Sequence, residues 1–518
     1  MRPTSTDQTV VILRVPVPAE PVQDTVPIGW TPSAEDRPAE PEPLTNPRLT
    51  MLAWLIPFVV AGGVGWWNLA TPGLSQDELA TWGMVSISGR NFWSVLSHVD
   101  ATLGPYYALL RAWVALVGDS DLLLRLPSVL FAAGAAAVIS AIGIKLAGRR
   151  VGLAAGLIFA LLPGVSRYAQ DARPYALVML AASVSTYVML NLIERPRLRT
   201  YAWYSLSVLL LGLAHAVALL LLLAHFLLVA RARRGRRALL SWGAAALAGM
   251  APTLPVLYAG HAQSRGQIGW IPPLSWTRLA DTPDHLFGAT ILAGAVVALA
   301  LTVLSLRPPA QALTLWALVP TAGLAAASLV MPLWVPRYLL FVLPAWTLLA
   351  GLALRRLTLL RGLVAVLAIG ALAVPAQIAI RTQAGHDYDS RGIAMVIKAH
   401  QLPGDTVLFG PFADGDQRTS RDAFMRYLPA DHRPLDKLMV QRPRTRGSLG
   451  AQECPDAAIP SCFGKPDRVW VIRQESNSNV LQNIGAAKEQ LLRQNFVQSE
   501  IWPLKGFTIA LFTRKPAA

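Results

Sequence analysis

Eleven apolar runs, 14 to 25 residues long, follow one another between residues 51 and 380. A helix needs about 20 mostly apolar residues to cross a bilayer, so these runs predict an α-helical polytopic membrane protein with about 11 transmembrane helices. Charged residues make up only 15% of the chain, whereas a soluble domain carries about 25%, so an entirely soluble protein is excluded. The runs are 51–70, 122–146, 151–167, 173–193, 201–214, 216–230, 239–257, 286–306, 312–331, 337–354 and 361–380.

The stretch 201–230 is too long for one comfortable span and short for two. Three arginines precede it and five follow it. Clusters of basic residues mark cytoplasmic loops, so both ends belong on the cytoplasmic side and the chain must cross an even number of times. We therefore predict two short helices with a break at Gly212 and His215.

Basic residues also orient the whole bundle. With the N-terminus inside, the inner loops carry 15 Lys and Arg and the outer loops carry 7, as expected for a membrane protein. An odd number of spans then places the C-terminal region outside the cytoplasm. Eight of the nine acidic residues between positions 51 and 380 fall on this outer side, which is where acid–base chemistry could occur.

Composition divides the chain into three parts. Residues 1–48 contain ten prolines and are expected to form a disordered cytoplasmic tail. Residues 49–380 form the transmembrane domain. Residues 381–518 have no apolar run long enough to span a membrane and are expected to form a small extracytoplasmic α/β domain. Its predicted strands and helices are Val407–Gly410, Arg468–Arg473 and Phe507–Arg514, and Ser390–His400 and Val480–Asn495.

The net charge of +16 does not indicate nucleic-acid binding, because most of the excess lies in short loops between the apolar runs and no nucleic-acid motif is present. The two cysteines, Cys454 and Cys462, exclude a cysteine-rich metal framework. We expect a local disulfide between them in an oxidising compartment, the alternative being two free thiols.

The first candidate catalytic group is the acidic pair Asp77 and Glu78, just past the first apolar run. Reduced dielectric near the bilayer and the charge of the neighbouring acid both raise a carboxyl pKa. We therefore expect a raised pKa suited to a general base. The alternative is a solvated polar start to the loop.

Further polar residues follow in the outer loops. His98 and Asp100 could both ligate a metal, but two ligands do not make a site; no cofactor is predicted, with a divalent cation left as an alternative. The segment 106–117 is too short to span and is expected to lie in the membrane interface. Arg125 lies near the outer end of its span and is expected to snorkel toward headgroups or to act in catalysis.

Arginines and tyrosines mark two more outer loops. Arg167, Asp171 and Arg173 lie within the loop 167–175, where either an ion pair or an anion site at the next helix start is possible. Arg337 can bind phosphate bidentately or snorkel. His215 faces the same outer side. Together these groups are those needed for a lipid-phosphate donor and a hydroxyl acceptor.

In these motifs the sequence resembles the polytopic type-C glycosyltransferases that use polyprenyl-phosphate sugars. The resemblance covers about residues 51–380 and is greatest to the branch containing protein mannosyltransferases and the aminoarabinose transferases of lipid A, in their actinobacterial form. It rests on Asp77-Glu78, Gly104-Pro105-Tyr106-Tyr107, Arg125-Leu126-Pro127-Ser128, the charged loop 167–175 and Pro336-Arg337-Tyr338.

The resemblance implies an inverting transfer of a sugar, with mannose as the expected sugar, to an acceptor hydroxyl on the outer face of the membrane. It implies Asp77 as the catalytic base, with Glu78 and Asp171 orienting the base and the sugar. Relatives often carry a lysine where Gly104 stands, so either arginines elsewhere bind the donor phosphate instead or the donor binds in a different pose. The implied phosphate ligands are Arg337, Arg173 and Arg167, and the implied sugar or acceptor ligands are Asp171, Tyr106, Tyr107, Tyr338, His98, Asp100 and His215.

The implied partners are a polyprenyl-phosphate sugar, a glycan, lipid or protein acceptor, and membrane lipids. Two alternatives stay open. Within the enzyme class, the sugar could be arabinofuranose, transferred to a cell-wall polymer. From another class, the chain could be a lipid or solute transporter. Transporters often show inverted repeats and polar groups near the bilayer midplane, and neither pattern is evident in this sequence.

Overall fold

The computed structural model describes residues 46–232, 234–410, 418–475 and 479–516, without the side chains of residues 265–267. The predicted tail therefore lies outside the described residues, apart from its last three. These already belong to the first helix, because the Asn46 side chain accepts hydrogen bonds from the backbone of Arg48 and Leu49, and Pro47 occupies the first helical turn.

A helix is present at each of the eleven apolar runs. The N-terminal part contains α1 (Pro47–Trp66), α2 (Gln76–Val85), α3 (Gly89–Leu96), α4 (Gly104–Val117), α5 (Asp121–Ala147), α6 (Arg149–Leu161), α7 (Pro163–Ala169), α8 (Tyr175–Glu194), α9 (Leu198–Ala214), α10 (Leu221–Arg231), α11 (Gly235–Met250), α12 (Leu254–Gln267), α13 (Trp276–Phe287), α14 (Thr290–Leu301), α15 (Gln311–Ser328), α16 (Leu343–Leu354) and α17 (Leu359–Ala379). Short 3₁₀ helices are Ala101–Leu103, Ala216–Leu220, Ala251–Thr253 and Pro336–Val342.

Not every apolar run is one straight membrane-length helix. Among the described residues, seven helices are long and apolar enough to cross a membrane, or up to nine if two bent pairs each count as one. The pairs α6–α7 and α13–α14 bend by 65° and 91°. Pro163 begins α7, with only Leu162 between it and the end of α6. The chain bends there because proline has no backbone N–H to donate to the last turn of α6 and its ring clashes with that turn. The total of eleven spans stays a prediction.

The stretch 201–230 is divided as expected. Helix α9 ends at Ala214, His215 has an extended backbone, and a 3₁₀ turn leads into α10. The predicted break is confirmed at His215, while Gly212 remains inside α9. The segment 106–117 belongs to α4, which buries Tyr106, Tyr107 and Leu110 on one face and leaves Leu116 82% exposed.

A small α/β unit is present among the described residues that follow α17. Its helices are α18 (Ser390–His400), α19 (Arg418–Tyr427), α20 (Ile459–Phe463) and α21 (Ala486–Asn495), and its strands are β1 (Thr406–Phe409), β2 (Met439–Gln441), β3 (Gln452–Glu453), β4 (Arg468–Gln474), β5 (Phe496–Leu504) and β6 (Phe507–Arg514). Short 3₁₀ helices are Ala430–His432 and Asp456–Ala458. The main sheet has the order β1-β4-β6-β5, in which only β1 and β4 pair in parallel.

Three strands and one helix were predicted with nearly these bounds, but the helix predicted over Val480–Asn495 was wrong in its first half. Gly485 has a backbone φ of +103°, which a residue inside an α-helix cannot adopt. Helix α21 therefore begins only at Ala486. Strand β5 and helix α19 were not predicted, because neither has a continuous alternation or helical repeat of apolar residues.

Strands β1, β4 and β6 are buried on both faces of the sheet, whereas most residues of the edge strand β5 are exposed. Val469, Val471 and Phe512 pack against α20 and α21, whereas Trp470, Ile472 and Ile509 belong to the same continuous core as the transmembrane helices. Successive side chains of a strand point to opposite faces, so β4 joins the two cores. The C-terminal unit is therefore packed into the rest of the molecule.

Ion pairs around the buried Asp121 connect the C-terminal unit to α5. Asp121, at the start of α5, accepts hydrogen bonds from Arg391, Arg426 and Tyr427 at 2.6 to 2.8 Å. Arg426 also pairs with Asp119 at 3.0 Å. Cys454 and Cys462 are joined by a disulfide within the same unit.

Candidate active site

Helix α2 presents three consecutive polar side chains in three directions. Ser75 caps the helix and forms a capping box with Glu78: the Ser75 hydroxyl accepts from the Glu78 N–H, and the Glu78 carboxylate accepts from the Ser75 N–H. Successive residues of a helix are about 100° apart. Gln76 therefore faces the C-terminal unit, Asp77 faces a cavity and Glu78 faces α5.

Glu78 forms a fully buried ion pair with Arg125. The guanidinium donates from Nε to Oε1 at 2.6 Å and from Nη2 to Oε2 at 2.7 Å, and both side chains are 0% exposed. Arg125 also donates to the backbone carbonyls of Leu69, Pro72 and Gly73. The expectation that Arg125 snorkels is therefore wrong, because the loop before α2 supplies acceptors for nearly all of its N–H groups.

Asp77 remains partly accessible. Its side chain is 39% exposed, and one carboxylate oxygen lies 3.7 Å from an Arg337 Nη atom. Arg337 is held in turn by the Tyr175 hydroxyl, to which its Nε donates at 2.9 Å, and by the Trp270 ring, which lies 5.4 Å from the guanidinium carbon. Asp77 and Arg337 are thus brought together from loops 260 residues apart in the sequence.

The predicted rise in the pKa of Asp77 and Glu78 is wrong for both residues. Burial does raise the pKa of Asp77, but the guanidinium groups of Arg173, Arg337 and Arg167 outweigh it and hold the pKa below its usual range. For Glu78, burial is likewise outweighed by Arg125, which holds the pKa well below its usual range. Both carboxylates are therefore ionised at neutral pH.

A cavity of about 1280 Å³ surrounds Asp77. Pockets that bury a drug-sized ligand measure about 300 to 1,000 Å³, so there is room for a sugar phosphate together with part of an acceptor. Of the predicted site residues, those that line it are Asp77, Asp100, Arg167, Asp171, Arg173, His215, Arg337 and Tyr338. Among the described residues, Glu78, His98, Tyr106 and Tyr107 are not part of this lining.

Arg173 is held by side chains from the first loop. Its Nη1 donates to the Tyr107 hydroxyl at 3.3 Å and to the Thr81 hydroxyl at 3.4 Å. The Tyr107 hydroxyl donates to Asp100 at 3.3 Å. Tyr107 therefore lies behind Arg173 and Asp100 and supports both of them.

Tyr106 and His98 lie away from the cavity. Tyr106 is buried in the core, with 2% of its surface exposed. His98 is exposed just after α3, and its Nδ1 lies 2.8 Å from the Ser94 carbonyl oxygen near the end of that helix. The sugar-binding role predicted for these two side chains has no support from their positions.

The loop 167–175 places Arg167 and Asp171 3.6 Å apart. Burial and the nearby Glu78 carboxylate raise the pKa of Asp171 to about 7, against the opposing effect of Arg167. Asp171 therefore changes charge close to neutral pH. The Ser128 hydroxyl donates to its backbone carbonyl at 2.7 Å and holds the loop against α5.

His215 lies between Tyr338 and Tyr175, with ring centroids 4.8 and 6.2 Å away. Burial together with Arg173 and Arg337 lowers its pKa to about 4. The imidazole is therefore neutral at physiological pH and can donate or accept a hydrogen bond without adding charge beside the arginines.

Sequence reasoning missed the cavity residues that come from the C-terminal unit. They include His386, Tyr388, Arg418 and Gln474. No sequence pattern marks them, because they are isolated polar residues more than 300 positions from Asp77. Trp270 was also missed, although an aromatic residue in an outer loop is a typical interfacial feature.

No metal-like cluster accompanies this site: within the described parts of the chain, no three His, Cys, Asp or Glu side chains are grouped closely enough to hold an ion. The cavity around Asp77 contains guanidinium, phenol and imidazole groups in addition to carboxylates. Such donors bind phosphate and sugar oxygens.

Comparison with solved structures identifies the fold. The chain is similar to ArnT from Cupriavidus metallidurans in the apo state, with a TM-score of 0.59 and 13% identity over 89% of this chain and 98% of that one. The structure of the same protein bound to undecaprenyl phosphate gives a TM-score of 0.57 over the same shares, again with 13% identity. The chain thus has the type-C glycosyltransferase fold, as predicted. No protein-family model and no curated protein sequence matches it.

Proposed function

We propose that this chain is a membrane glycosyltransferase that moves a sugar from a polyprenyl-phosphate donor to an acceptor hydroxyl on the outer face of the membrane, with inversion. The observation that carries the proposal is the placement of the ionised Asp77 carboxylate, partly open to a cavity, beside three arginines from two other loops.

In the proposed reaction Asp77 accepts the proton of the acceptor hydroxyl. The hydroxyl oxygen forms a bond to the anomeric carbon while the bond from that carbon to the phosphate oxygen breaks, and the bonding electrons leave with the phosphate. A single displacement inverts the anomeric configuration. Arg337, Arg173 and Arg167 stabilise the negative charge that develops on the leaving phosphate, which is the kind of interaction that accelerates such steps most.

The same arginines explain how a carboxylate with a low pKa can act as a base. In the free enzyme they stabilise the ionised form of Asp77. A bound donor phosphate neutralises part of their charge, so the pKa of Asp77 rises when the donor is in place. Asp77 is therefore a stronger base in the donor complex than in the free enzyme.

A structure with the same fold supports the proposed class of donor. The ArnT structure of the same fold contains undecaprenyl phosphate, a polyprenyl phosphate of the kind that this reaction would release. Within this chain, the cavity is lined both by arginines and by apolar side chains such as Val217, Leu257 and Leu333, which suits a ligand with a lipid tail and an anionic head.

Mannose is the sugar that we propose, following the resemblance to the mannosyltransferase branch, and arabinofuranose is its alternative. The experiment is a transfer assay in proteoliposomes with labelled polyprenyl-phosphate mannose, polyprenyl-phosphate arabinofuranose and a cell-envelope extract as acceptor pool. We expect label from the mannose donor to enter the extract with release of polyprenyl phosphate.

Transfer only from the arabinofuranose donor would contradict the assignment of mannose but keep the enzyme class. Movement of labelled donor between leaflets without transfer would support the transporter alternative and contradict the proposal as a whole. An empty-liposome control and a vesicle with heat-treated protein exclude spontaneous exchange.

A further inference from the structure

The Asp77 carboxylate is not held by the membrane helices alone. Gln76, its neighbour in the first turn of α2, accepts two hydrogen bonds on the same amide oxygen. One comes from the Tyr388 hydroxyl at 2.9 Å and the other from the Gln474 amide at 2.9 Å. Both donors belong to the C-terminal unit, Tyr388 just before α18 and Gln474 at the end of β4.

The three side chains form a closed cluster. The Gln474 amide also donates to the Tyr388 hydroxyl at 3.3 Å, and Gln474 is itself only 3% exposed. All three residues line the cavity around Asp77. A shift of Gln76 along the helix axis or around it would break both bonds to its amide oxygen, so the cluster fixes the start of α2 in two directions.

The rest of the helix is held by the same unit. Arg444 forms a buried pair with Asp422 at 2.5 and 2.8 Å, and its guanidinium lies directly against Gly83. In the segment before α2, the Leu74 N–H donates to the Tyr427 hydroxyl at 2.8 Å and the Leu74 carbonyl accepts from Ser390 at 2.9 Å. Contacts from the C-terminal unit thus extend from the residues before the helix to its last turn.

We propose that the C-terminal α/β unit sets the position of the catalytic base, with Tyr388 and Gln474 acting on Asp77 through Gln76. The inference rests on the function proposed above. Tyr388 and Gln474 are positioning residues, because their hydrogen bonds go to Gln76. An error of about 1 Å in the placement of a reacting group can cost about 100-fold in rate, so a rigid support for Asp77 has a large effect.

A double-mutant cycle tests this proposal. The variants are Gln76→Leu, Gln474→Leu and the double variant, with Tyr388→Phe as a second way to remove one bond. Matched controls are Gln498→Leu on the exposed part of β5 and Tyr258→Phe, whose side chain is 78% exposed. Each protein is assayed for kcat and for the donor KM.

We expect each single variant to lower kcat by about 10- to 100-fold, with the donor KM within about twofold of wild type. The arginines that bind the donor come from other loops and are not disturbed. Because Gln474 acts through Gln76, the double variant should be no slower than the slower single variant, and both controls should match wild type.

Three results would overturn the proposal: wild-type kcat in Gln474→Leu and Tyr388→Phe, a rise in donor KM equal to the fall in kcat, or additive losses in the double variant. Wild-type kcat would mean that the hydrogen bonds of the cluster do not affect catalysis. Either of the other two results would mean that Gln474 does not act through Gln76.

Hydrogen exchange gives a readout that does not depend on activity. Backbone amides of α2 should exchange faster in Gln474→Leu than in wild type, while those of α16 stay unchanged and Gln498→Leu shows no effect. Unchanged exchange in α2 would contradict the positioning role. If wild type transfers no sugar yet α2 loosens in Gln474→Leu, the proposed function fails and the support of α2 by the C-terminal unit stands.

Discussion

At the scale of single residues, two neighbouring acids have opposite surroundings. Asp77 opens to the cavity and faces arginines at a distance, whereas Glu78 is enclosed in a bidentate pair with Arg125. A carboxylate with all its lone pairs occupied by protein donors cannot accept a proton from a substrate. The directions in which the two side chains point on α2 therefore favour Asp77 as the proposed base and Glu78 as its support.

Arg337→Ala removes one guanidinium that faces Asp77. We expect kcat/KM for the donor to fall by about 100- to 1,000-fold, since a preorganised donor to the developing charge is lost. The pKa of Asp77 in the free enzyme should rise, so the acid limb of the kcat/KM profile moves to higher pH. Arg90→Ala, at an exposed position of the first loop, is the control, and an unmoved acid limb would contradict the assignment.

Asp171 predicts a second pH effect. Its pKa of about 7 exceeds that of a free aspartate, so the group is neutral below pH 7 and becomes charged as the pH rises through 7. The new negative charge weakens binding of an anionic donor beside Arg167. We expect the donor KM to rise between about pH 6 and pH 8 in wild type.

Asp171→Asn should abolish this rise. The assay needs the intact phosphodiester donor, because a diester keeps a single negative charge over this pH range, whereas polyprenyl phosphate itself titrates. If the donor KM of the variant changes with pH as in wild type, another group is responsible.

At the scale of elements, helix α2 is the part of the fold on which the site depends. Gly83 lies under the Arg444 guanidinium, which the buried Asp422 holds in place. A methyl group there would overlap the guanidinium and push α2 away from the C-terminal unit. Overpacking of this kind typically costs about 1 to 3 kcal/mol.

Gly83→Ala should therefore lower both the thermal midpoint and kcat, the latter by about tenfold or more. Gly89→Ala is a matched control, because a Cβ at Gly89 meets no atom within 4 Å. Thermal unfolding in detergent and the transfer assay measure the two effects. Wild-type behaviour of Gly83→Ala would show that the contact does not constrain α2.

The sequence predicts those features whose residues are close together in the chain. The acidic pair after the first span, the break at His215 and three strands of the C-terminal sheet follow from local patterns. The pKa of Asp77 was predicted in the wrong direction, because its sign depends on Arg167, Arg173 and Arg337, which only the folded bundle brings to it. The cluster of Gln76, Tyr388 and Gln474 has no local signal at all.

At the scale of the whole molecule, the C-terminal unit and the transmembrane bundle share one hydrophobic core and one cavity. The cavity must then lie on the side of the membrane that holds the C-terminal unit. We propose that this side faces away from the cytoplasm, since the basic residues concentrate in the loops at the opposite ends of the spans and a disulfide within the unit suits an oxidising compartment.

Labelling of single introduced cysteines tests this topology. The chain has two cysteines, both in the disulfide, so the native cysteines should react little with the maleimide. Glu500→Cys, on exposed strand β5, should react with a membrane-impermeant maleimide in intact cells. Leu198→Cys, 86% exposed at the start of α9, should react only after permeabilisation. The reverse pattern would contradict the orientation.

The central claim is that Asp77 is the base of a sugar transfer, and isosteric amide substitutions test it most directly. Glycosyl transfer from the polyprenyl-phosphate donor is compared in Asp77→Asn, Glu78→Gln and Asp431→Asn, whose carboxylate is 77% exposed. Thermal midpoints are measured alongside.

Asp77→Asn should lower transfer by about 100- to 10,000-fold, the range that a general base contributes, with a midpoint near wild type. Glu78→Gln should instead lower the midpoint, because breaking a buried ion pair costs about 3 to 5 kcal/mol, and Asp431→Asn should match wild type. Wild-type transfer by a stable Asp77→Asn protein would contradict the account.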